Sequence, residues 1–437
     1  RVEWPCYCRS PCGNTAPAIR SPPLKNRPIM NPSPESEFSR RHFLAHAGVG
    51  LAATMTMSRA LAQGSVANSR IRLGLIGCGQ RGQWILDLFA EHGGYEVAAV
   101  ADYFQDKVDE TAAKHQLGRP RVFTGLQCAE KMIAAGGLDA VAIISPPYFH
   151  PSQASAAVAA GLHVYLAKPV AVDVPGCNSI QASADHARRK QRVFLVDFQT
   201  RKNELFIEAI RRVHSGAMGE ICFGEATNHV DGPPRKATPG TPETRLRNWL
   251  SDRALSGEII VEQNIHVLDV MSWAMKEVPP LRCTGTGGLK VRLDVGDCWD
   301  HFALVYEYAS NVGVTFSSRQ FKGHGSPGGF LNRMFGTKGA LSTAYGGEVM
   351  IRGGADTFFR GGNTGALYKE GAIANIKAFH TQVMAGDVTN ATVAPSVTSN
   401  LIAILGRTAA RNARTTTWDE ILRSGEKIEA DLSGLHA

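Results

Sequence analysis

Three groups of residues have the types and spacings that chemistry needs. Gly77-Cys78-Gly79-Gln80-Arg81-Gly82 has the form G-x-G-x-x-G, and Asp102 follows it by about 20 residues, where a dinucleotide-binding turn keeps its acidic side chain. Gly77 would permit the tight turn, Gly79 would let backbone approach a pyrophosphate, and Gly82 would let a helix pack on a strand. Glu262 and His266 stand four apart, so they share a face if one helix includes both. Lys168 lies in Ala167-Lys168-Pro169 and supplies a cation. Removing hydride from a secondary alcohol requires a group that takes the hydroxyl proton and positive charge where alkoxide character develops. His266 is expected to be the base, because its reference pKa lies near working pH. Lys168 is expected to polarise the same oxygen, and Glu262 is the third catalytic candidate.

The elements that must position these residues are legible in the hydropathy pattern. Ile71 to Ile76 is a short apolar strand, and a helical pattern through Ile85, Leu88 and Phe89 follows the glycines. Val97 to Ala101 reads as a second strand ending at Asp102. Val141 to Ile144 is a third, followed by the loop Ser145-Pro146-Pro147-Tyr148-Phe149-His150. Val164 to Leu166 leads into Lys168, and Val193 to Val196 is one more strand, with helices at Ala154 to Ala160 and Val174 to Lys190 between them. Repeated β-α units with buried strands predict a doubly wound parallel sheet, whose ligands bind beyond the C-terminal strand ends. Asp102, Ser145, Pro146, His150 and Lys168 all fall at or past such ends.

After residue 200 the pattern changes. Glu204 to His214, Ile265 to Met275, Ile373 to Met384 and Ser396 to Arg411 read as helices. Phe302 to Tyr308 and Val312 to Ser318 read as strands joined by Ser310-Asn311. Strands without intervening helices predict a mainly antiparallel open sheet. The division expected is a leader at 1–62, a Rossmann domain at 63–200 and an α+β domain at 201–437. Asp269 reads as a helix hydrogen-bond partner and Trp249 as core or interface. Arg201 fits two roles, holding substrate or closing the domain interface.

The chain resembles the glucose–fructose oxidoreductase, inositol dehydrogenase and rhizopine catabolism (Gfo/Idh/MocA) family over most of residues 70–437. The carriers are the glycine motif, Ser145-Pro146 with His150, Ala167-Lys168-Pro169, and the run from Gly257 through Glu262 and His266 to Asp269. The family's Glu-Lys-Pro falls on Ala167-Lys168-Pro169, so Lys is kept and Glu is not. Its Asp-x-x-x-His falls on Glu262 and His266, with one more methylene on the carboxylate. The resemblance implies a Rossmann domain, an open mostly antiparallel sheet, and a substrate pocket between them.

Charge argues against a polyanionic partner. The chain carries +8 formally, but residues 1–62 hold eight basic and three acidic residues. Residues 63–437 hold 39 basic and 36 acidic residues, and no basic stripe is interleaved with aromatics. A nucleic-acid partner is therefore not expected. Within the leader, Ser39-Arg40-Arg41-His42-Phe43-Leu44 precedes an Ala/Gly-rich apolar run, Ala45 to Met57, and the small-x-small site Ala60-Leu61-Ala62. This resembles a twin-arginine (Tat) export signal. The Pro-rich residues 1–29 read as an upstream extension, with Met30 as the expected start. Export points to a periplasmic or secreted protein, and no later segment is apolar enough to anchor it. Cys78, Cys128, Cys177, Cys222, Cys283 and Cys298 are scattered and read as isolated thiols. Cys6, Cys8 and Cys12 fit no zinc spacing well, and no metal is expected.

The function expected is an NAD(P)-dependent oxidoreductase acting on a sugar, polyol or related hydroxylated small molecule. Outside the cytoplasm the cofactor would have to stay bound through redox-neutral turnover. An NAD-requiring glycoside hydrolase on the same fold is the alternative, and a non-catalytic sugar sensor a third. Asp102 would repel a 2′-phosphate and favours NAD over NADP, while an Arg near the ribose, such as Arg81, would favour NADP. An uncovered sheet face would suit a homo-oligomer.

Overall fold

The computed structural model describes residues 70–437. The leader, with Arg40, Arg41, Cys6, Cys8 and Cys12, lies outside the described residues.

The first sheet has six strands: β1 (Ile71–Ile76), β2 (Tyr95–Asp102), β3 (Val122–Thr124), β4 (Ala140–Ile143), β5 (His163–Ala167) and β6 (Phe194–Asp197). Their order is β3-β2-β1-β4-β5-β6, and every pair is parallel. Parallel pairing requires helices on both faces, so central strands bury both sides. The sequence obeys this: β4 and β6 are buried at every position. Strand order reverses between β1 and β4, the place where a doubly wound sheet opens a crevice. The glycine loop leaves β1 at that point.

The second sheet adds β7 (Ile221–Val230), β8 (Arg282–Gly288), β9 (His301–Glu307), β10 (Gly313–Gln320), β11 (Gly329–Gly336), β12 (Gly339–Ala344), β13 (Glu348–Gly353), β14 (Phe359–Asn363) and β15 (Thr416–Thr417). Its order is β14-β13-β12-β11-β7-β10-β9-β8-β15. It is antiparallel except where β7 lies parallel to β10. Burial alternates along β9 and β10, which is the signature of a sheet covered on one face. Leu304, Tyr306, Val314 and Phe316 point into the core. The helices Ile265–Ala274 and Val393–Arg411 cover that face, and almost every residue of the first is buried. On the uncovered face Phe223 stacks on Phe335 with ring centroids 4.5 Å apart.

The two sheets share supporting elements. The helix Val393–Arg411 packs on both the helix Val174–Arg189 and β8. The free edge of β6 is closed by side chains: Phe194 N–H donates to Asn390 Oδ1 (2.8 Å) and Val196 N–H to Thr392 Oγ1 (2.9 Å). Such capping occupies two N–H groups of that edge. Residues 428–437 return to the first sheet, where Leu126 N–H donates to the His436 carbonyl at 3.1 Å.

Candidate functional site

The site begins at the glycine loop. Gly77 has φ +96°, and a Cβ there would meet the backbone of Ile144 and Ser145 at 2.7 Å, so only glycine fits. A Cβ on Gly82 would overlap the Gly77 carbonyl, which explains the close approach of helix to loop. Gly79 differs, since nothing lies within 4 Å of its missing Cβ. It caps the helix Gln80–His92 without a side-chain partner. The open side of this helix start faces a cavity of about 580 Å³, lined in part by Gly77, Gly79, Gln80, Arg81, Gly82, Asp102, Ser145 and Pro146. Free first-turn N–H groups beside a bare backbone fit a pyrophosphate. These residues therefore fit a dinucleotide.

Asp102 sits at the end of β2 and accepts the N–H groups of Cys78 (2.7 Å) and Phe104 (2.9 Å). Burial pushes its carboxyl up, and the two amides oppose that. Its position beside the loop suits a ribose. Arg81 does not join it. The Arg81 guanidinium donates to Asp197 (2.7 Å) at the end of β6 and to the Tyr368 hydroxyl (2.6 Å). It also lies 5.1 Å from the Tyr368 ring. The ends of β2 and β6 are four strand spacings apart, about 19 Å. The expectation that Arg81 could serve a 2′-phosphate is therefore corrected. Its partners hold it at the other end of the cavity.

Two further residues act behind the wall. The Cys78 side chain is fully buried, and only its backbone serves the loop. His150 opens the helix His150–Ala159, with no place in the cavity lining. Its ring nitrogens lie 2.8 Å from the Ser145 carbonyl and 2.9 Å from the Pro169 carbonyl, and the neutral ring, with one N–H, donates to one of the two. Burial drives its pKa down to about 4, with the two carbonyls opposing. His150 thus ties the Ser145-Pro146 loop to the segment carrying Lys168.

Lys168 follows β5 and is 10% exposed at its side chain. Its ammonium donates to the Glu262 carbonyl (2.6 Å) and to Glu262 Oε1 (3.2 Å). Burial lowers its pKa, and Glu262 pulls it back. Ala167 cannot supply the carboxylate that the family's Glu-Lys-Pro places beside Lys, and Glu262 supplies one from another element. One unbroken helix does not carry Glu262 and His266, contrary to the condition set by their spacing. Ile259–Glu262 and Ile265–Ala274 are separate, with Gln263 and Asn264 between them. His266 sits among Phe198, Phe330 and Tyr345, with centroids 5.3–6.3 Å away. Its Nδ1 is buried without a partner. Burial first, then Lys168 and Arg81, hold its pKa well below 6.5. The expectation of a base with an ordinary pKa is corrected: His266 is a neutral imidazole, free to accept a proton but weaker as a base.

The remaining candidates fall into place. Arg201 donates to both oxygens of Asp269 (2.9 and 3.0 Å) and to Glu277 (2.8 Å), so it closes packing. Asp269 also accepts the Ser399 hydroxyl at 2.7 Å, as a buried hydrogen-bond partner would. Trp249 packs with Tyr103 and Leu246 and lines the cavity. Among the described residues all six cysteines are free thiols, and only Cys222 is exposed. Among them no helix is long and apolar enough to cross a membrane. Sequence reasoning missed Asp197, Tyr345 and Tyr368. Asp197 ends a buried strand, a signal equal to that of Asp102. The two tyrosines carried no local signal.

A parallel six-stranded sheet, a glycine cradle and an acidic ribose position define an NAD-binding Rossmann protein. The family model described as "Oxidoreductase family, NAD-binding Rossmann fold" matches residues 71–198, and "GFO/IDH/MocA C-terminal domain" matches residues 206–342. The chain belongs to the Gfo/Idh/MocA oxidoreductase family. Among curated relatives, a glycosyl hydrolase family 109 protein of Shewanella pealeana is 26% identical over 211 residues, 44% of this chain and 46% of that one. An alpha-N-acetylgalactosaminidase of Shewanella oneidensis is 28% identical over 209 residues, 43% of this chain and 45% of that one. The match thus spans less than half the length of these relatives. Levoglucosan dehydrogenase in complex with NADH and levoglucosan superposes with TM-score 0.63 at 18% identity, covering 80% of this chain and 99% of that one. GenD2 from gentamicin A biosynthesis, in complex with NAD, gives 0.63 at 16%, covering 80% and 96%.

Proposed function

We propose that this chain oxidises a secondary alcohol of a sugar, polyol or related small molecule, with NAD held through turnover. The observation that carries this reading is the Lys168–Glu262 pair beside the unpartnered, buried His266 Nδ1. The glycine loop and the uncapped helix start would hold the pyrophosphate, and Asp102 the adenosine ribose. The cofactor, when bound, supplies the hydride acceptor. His266 accepts the hydroxyl proton at Nε2, the ring nitrogen that packing does not seal, while Nδ1 stays enclosed. Lys168 donates to the same oxygen and stabilises the charge that develops there. Glu262 keeps the Lys168 ammonium aimed, and Phe198, Phe330 and Tyr345 keep water from the imidazole. NAD is the cofactor we favour over NADP, because Asp102 at the end of β2 would meet a ribose 2′-phosphate with a negative charge and Arg81 pairs with Asp197.

Export by the twin-arginine route belongs to the same proposal, supported by Arg40-Arg41 and the Ala60-Leu61-Ala62 site. A cofactor carried out would have to be restored within each turnover. Self-association through the uncovered sheet face also belongs to it, supported by the exposed Phe223–Phe335 stack. Mass spectrometry of denatured protein should release a nicotinamide dinucleotide. A sugar and polyol screen should then change the absorbance of the bound cofactor. Protein that neither carries nor binds the dinucleotide would refute the reading.

A second reading is glycoside cleavage through transient oxidation. Similarity to a glycosyl hydrolase family 109 protein and an alpha-N-acetylgalactosaminidase motivates it, but at 26–28% identity over less than half of each chain it does not displace net oxidation as the leading reading. Release of a free sugar from a glycoside panel, with solvent deuterium entering next to the oxidised carbon, would select it over net dehydrogenation.

A further inference from the structure

Glu258 is held in a backbone conformation that belongs to glycine. Its φ is 84° and its ψ 163°, a region that residues with a Cβ rarely adopt. Such a residue persists only where its surroundings over-determine it. Here they do. The Glu258 side chain is fully buried, and its carboxylate accepts Arg411 Nε at 2.8 Å, Arg411 Nη2 at 2.5 Å and the Trp299 N–H at 2.7 Å. The Arg411 guanidinium also lies 4.5 Å from the Trp299 ring. Four residues earlier on the same helix, Arg407 donates to the carbonyls of Gly257 and Val172, both at 2.8 Å. Two arginines of the helix Val393–Arg411 thus fasten the turn at Gly257-Glu258.

What this turn carries is Glu262. The Glu258 carbonyl accepts the N–H groups of Val261 (3.0 Å) and Glu262 (2.9 Å). The helix Ile259–Glu262 is a single turn, too short to persist without support. Both of its contacts with Lys168 come from its last residue. Arg407 also holds Val172, three residues beyond Pro169. The clamp therefore reaches both partners of the pair.

We infer that Glu258, with Arg411 and Arg407, is a positioning residue that sets the Glu262 carboxylate against Lys168, storing backbone strain to do so. This rests on the reading of Lys168 and Glu262 as the proton-handling centre. The groups facing Lys168 are Glu262, Arg81, Asp197, His266 and His150. Glu262 is the nearest anion, so its displacement lowers the Lys168 pKa.

The test needs no substrate. Full-length protein is carbamylated with cyanate across a pH series, and modification of Lys168 is read by peptide mass spectrometry. Glu262→Gln is expected to lower the apparent Lys168 pKa by about one unit. Glu258→Gly, which suits the backbone angle but removes the clamp, is expected to reproduce most of that shift with dinucleotide affinity within twofold of the parent. Arg411→Gln, which keeps Glu258, is expected to give a smaller shift in the same direction. A Lys168 pKa unchanged in Glu258→Gly and Arg411→Gln, while Glu262→Gln moves it, overturns the positioning role alone. No shift in Glu262→Gln overturns the underlying reading, and the inference with it.

Discussion

At the residue scale, the proposed site sets a charged Lys168–Glu262 pair near the buried His266. Lys168 keeps a partner, and His266 does not. Lys168→Met and His266→Gln are expected to lower the rate of substrate oxidation by about 10²–10⁴-fold, the usual span for a positioned proton-transfer group. Dinucleotide affinity should stay near that of the parent, because neither side chain lines the glycine-loop cavity. Cofactor titration by fluorescence beside single-turnover rates checks both halves. His150 gives a prediction of another kind. With a folded pKa near 4 against an ordinary 6.5, it refuses a proton that the unfolded chain accepts. Its contribution is fully present above about pH 6.5 and is lost as pH falls through that window, by about 3 kcal/mol at the acid end. Unfolding midpoints measured from pH 7 to 4 should fall less steeply in His150→Gln than in the parent.

At the scale of elements, the helix Ile265–Ala274 organises the second half. Arg201 and Ser399 meet on its Asp269, which is fully buried. Arg201→Ala strands that carboxylate and is expected to cost about 3–5 kcal/mol in urea unfolding. The same elements show what a sequence can disclose. The strand, glycines, helix and Asp102 were legible because one local motif contains them. The spacing of Glu262 and His266 was legible too, but the break at Gln263-Asn264 was not. The turn that starts the first of the two helices, at Gly257-Glu258, is held by arginines about 150 residues away. The partner of Lys168 was hidden for a similar reason, since Glu262 lies 94 residues on. Strand β14 escaped because glycine interrupts it, in Phe359-Arg360-Gly361-Gly362-Asn363.

At the scale of the whole molecule, the far end of the chain helps to close the cofactor cavity. Leu432 and Leu435 pack with Tyr103, Leu246 and Leu255, and Tyr103, Leu246 and Trp249 line the cavity. The Arg247 guanidinium lies 3.9 Å from the Phe104 ring and pairs with Asp106 at 2.6 Å. The Asp102 end of the cavity is thus enclosed by residues from both halves of the chain. Leu435→Asp is expected to speed dinucleotide release at least about tenfold, since a desolvated charge would loosen this packing. Stopped-flow displacement of bound NADH measures that rate.

The central claim is that this chain binds a dinucleotide and passes a substrate proton to the buried centre at His266 and Lys168. The most direct measurement is the rate at which a sugar or polyol reduces protein-bound NAD in a single turnover, in the parent and in His266→Gln. The account predicts rapid reduction in the parent and a loss of about 10²-fold or more in the variant, with the cofactor still bound. Equal rates in the two proteins would contradict it.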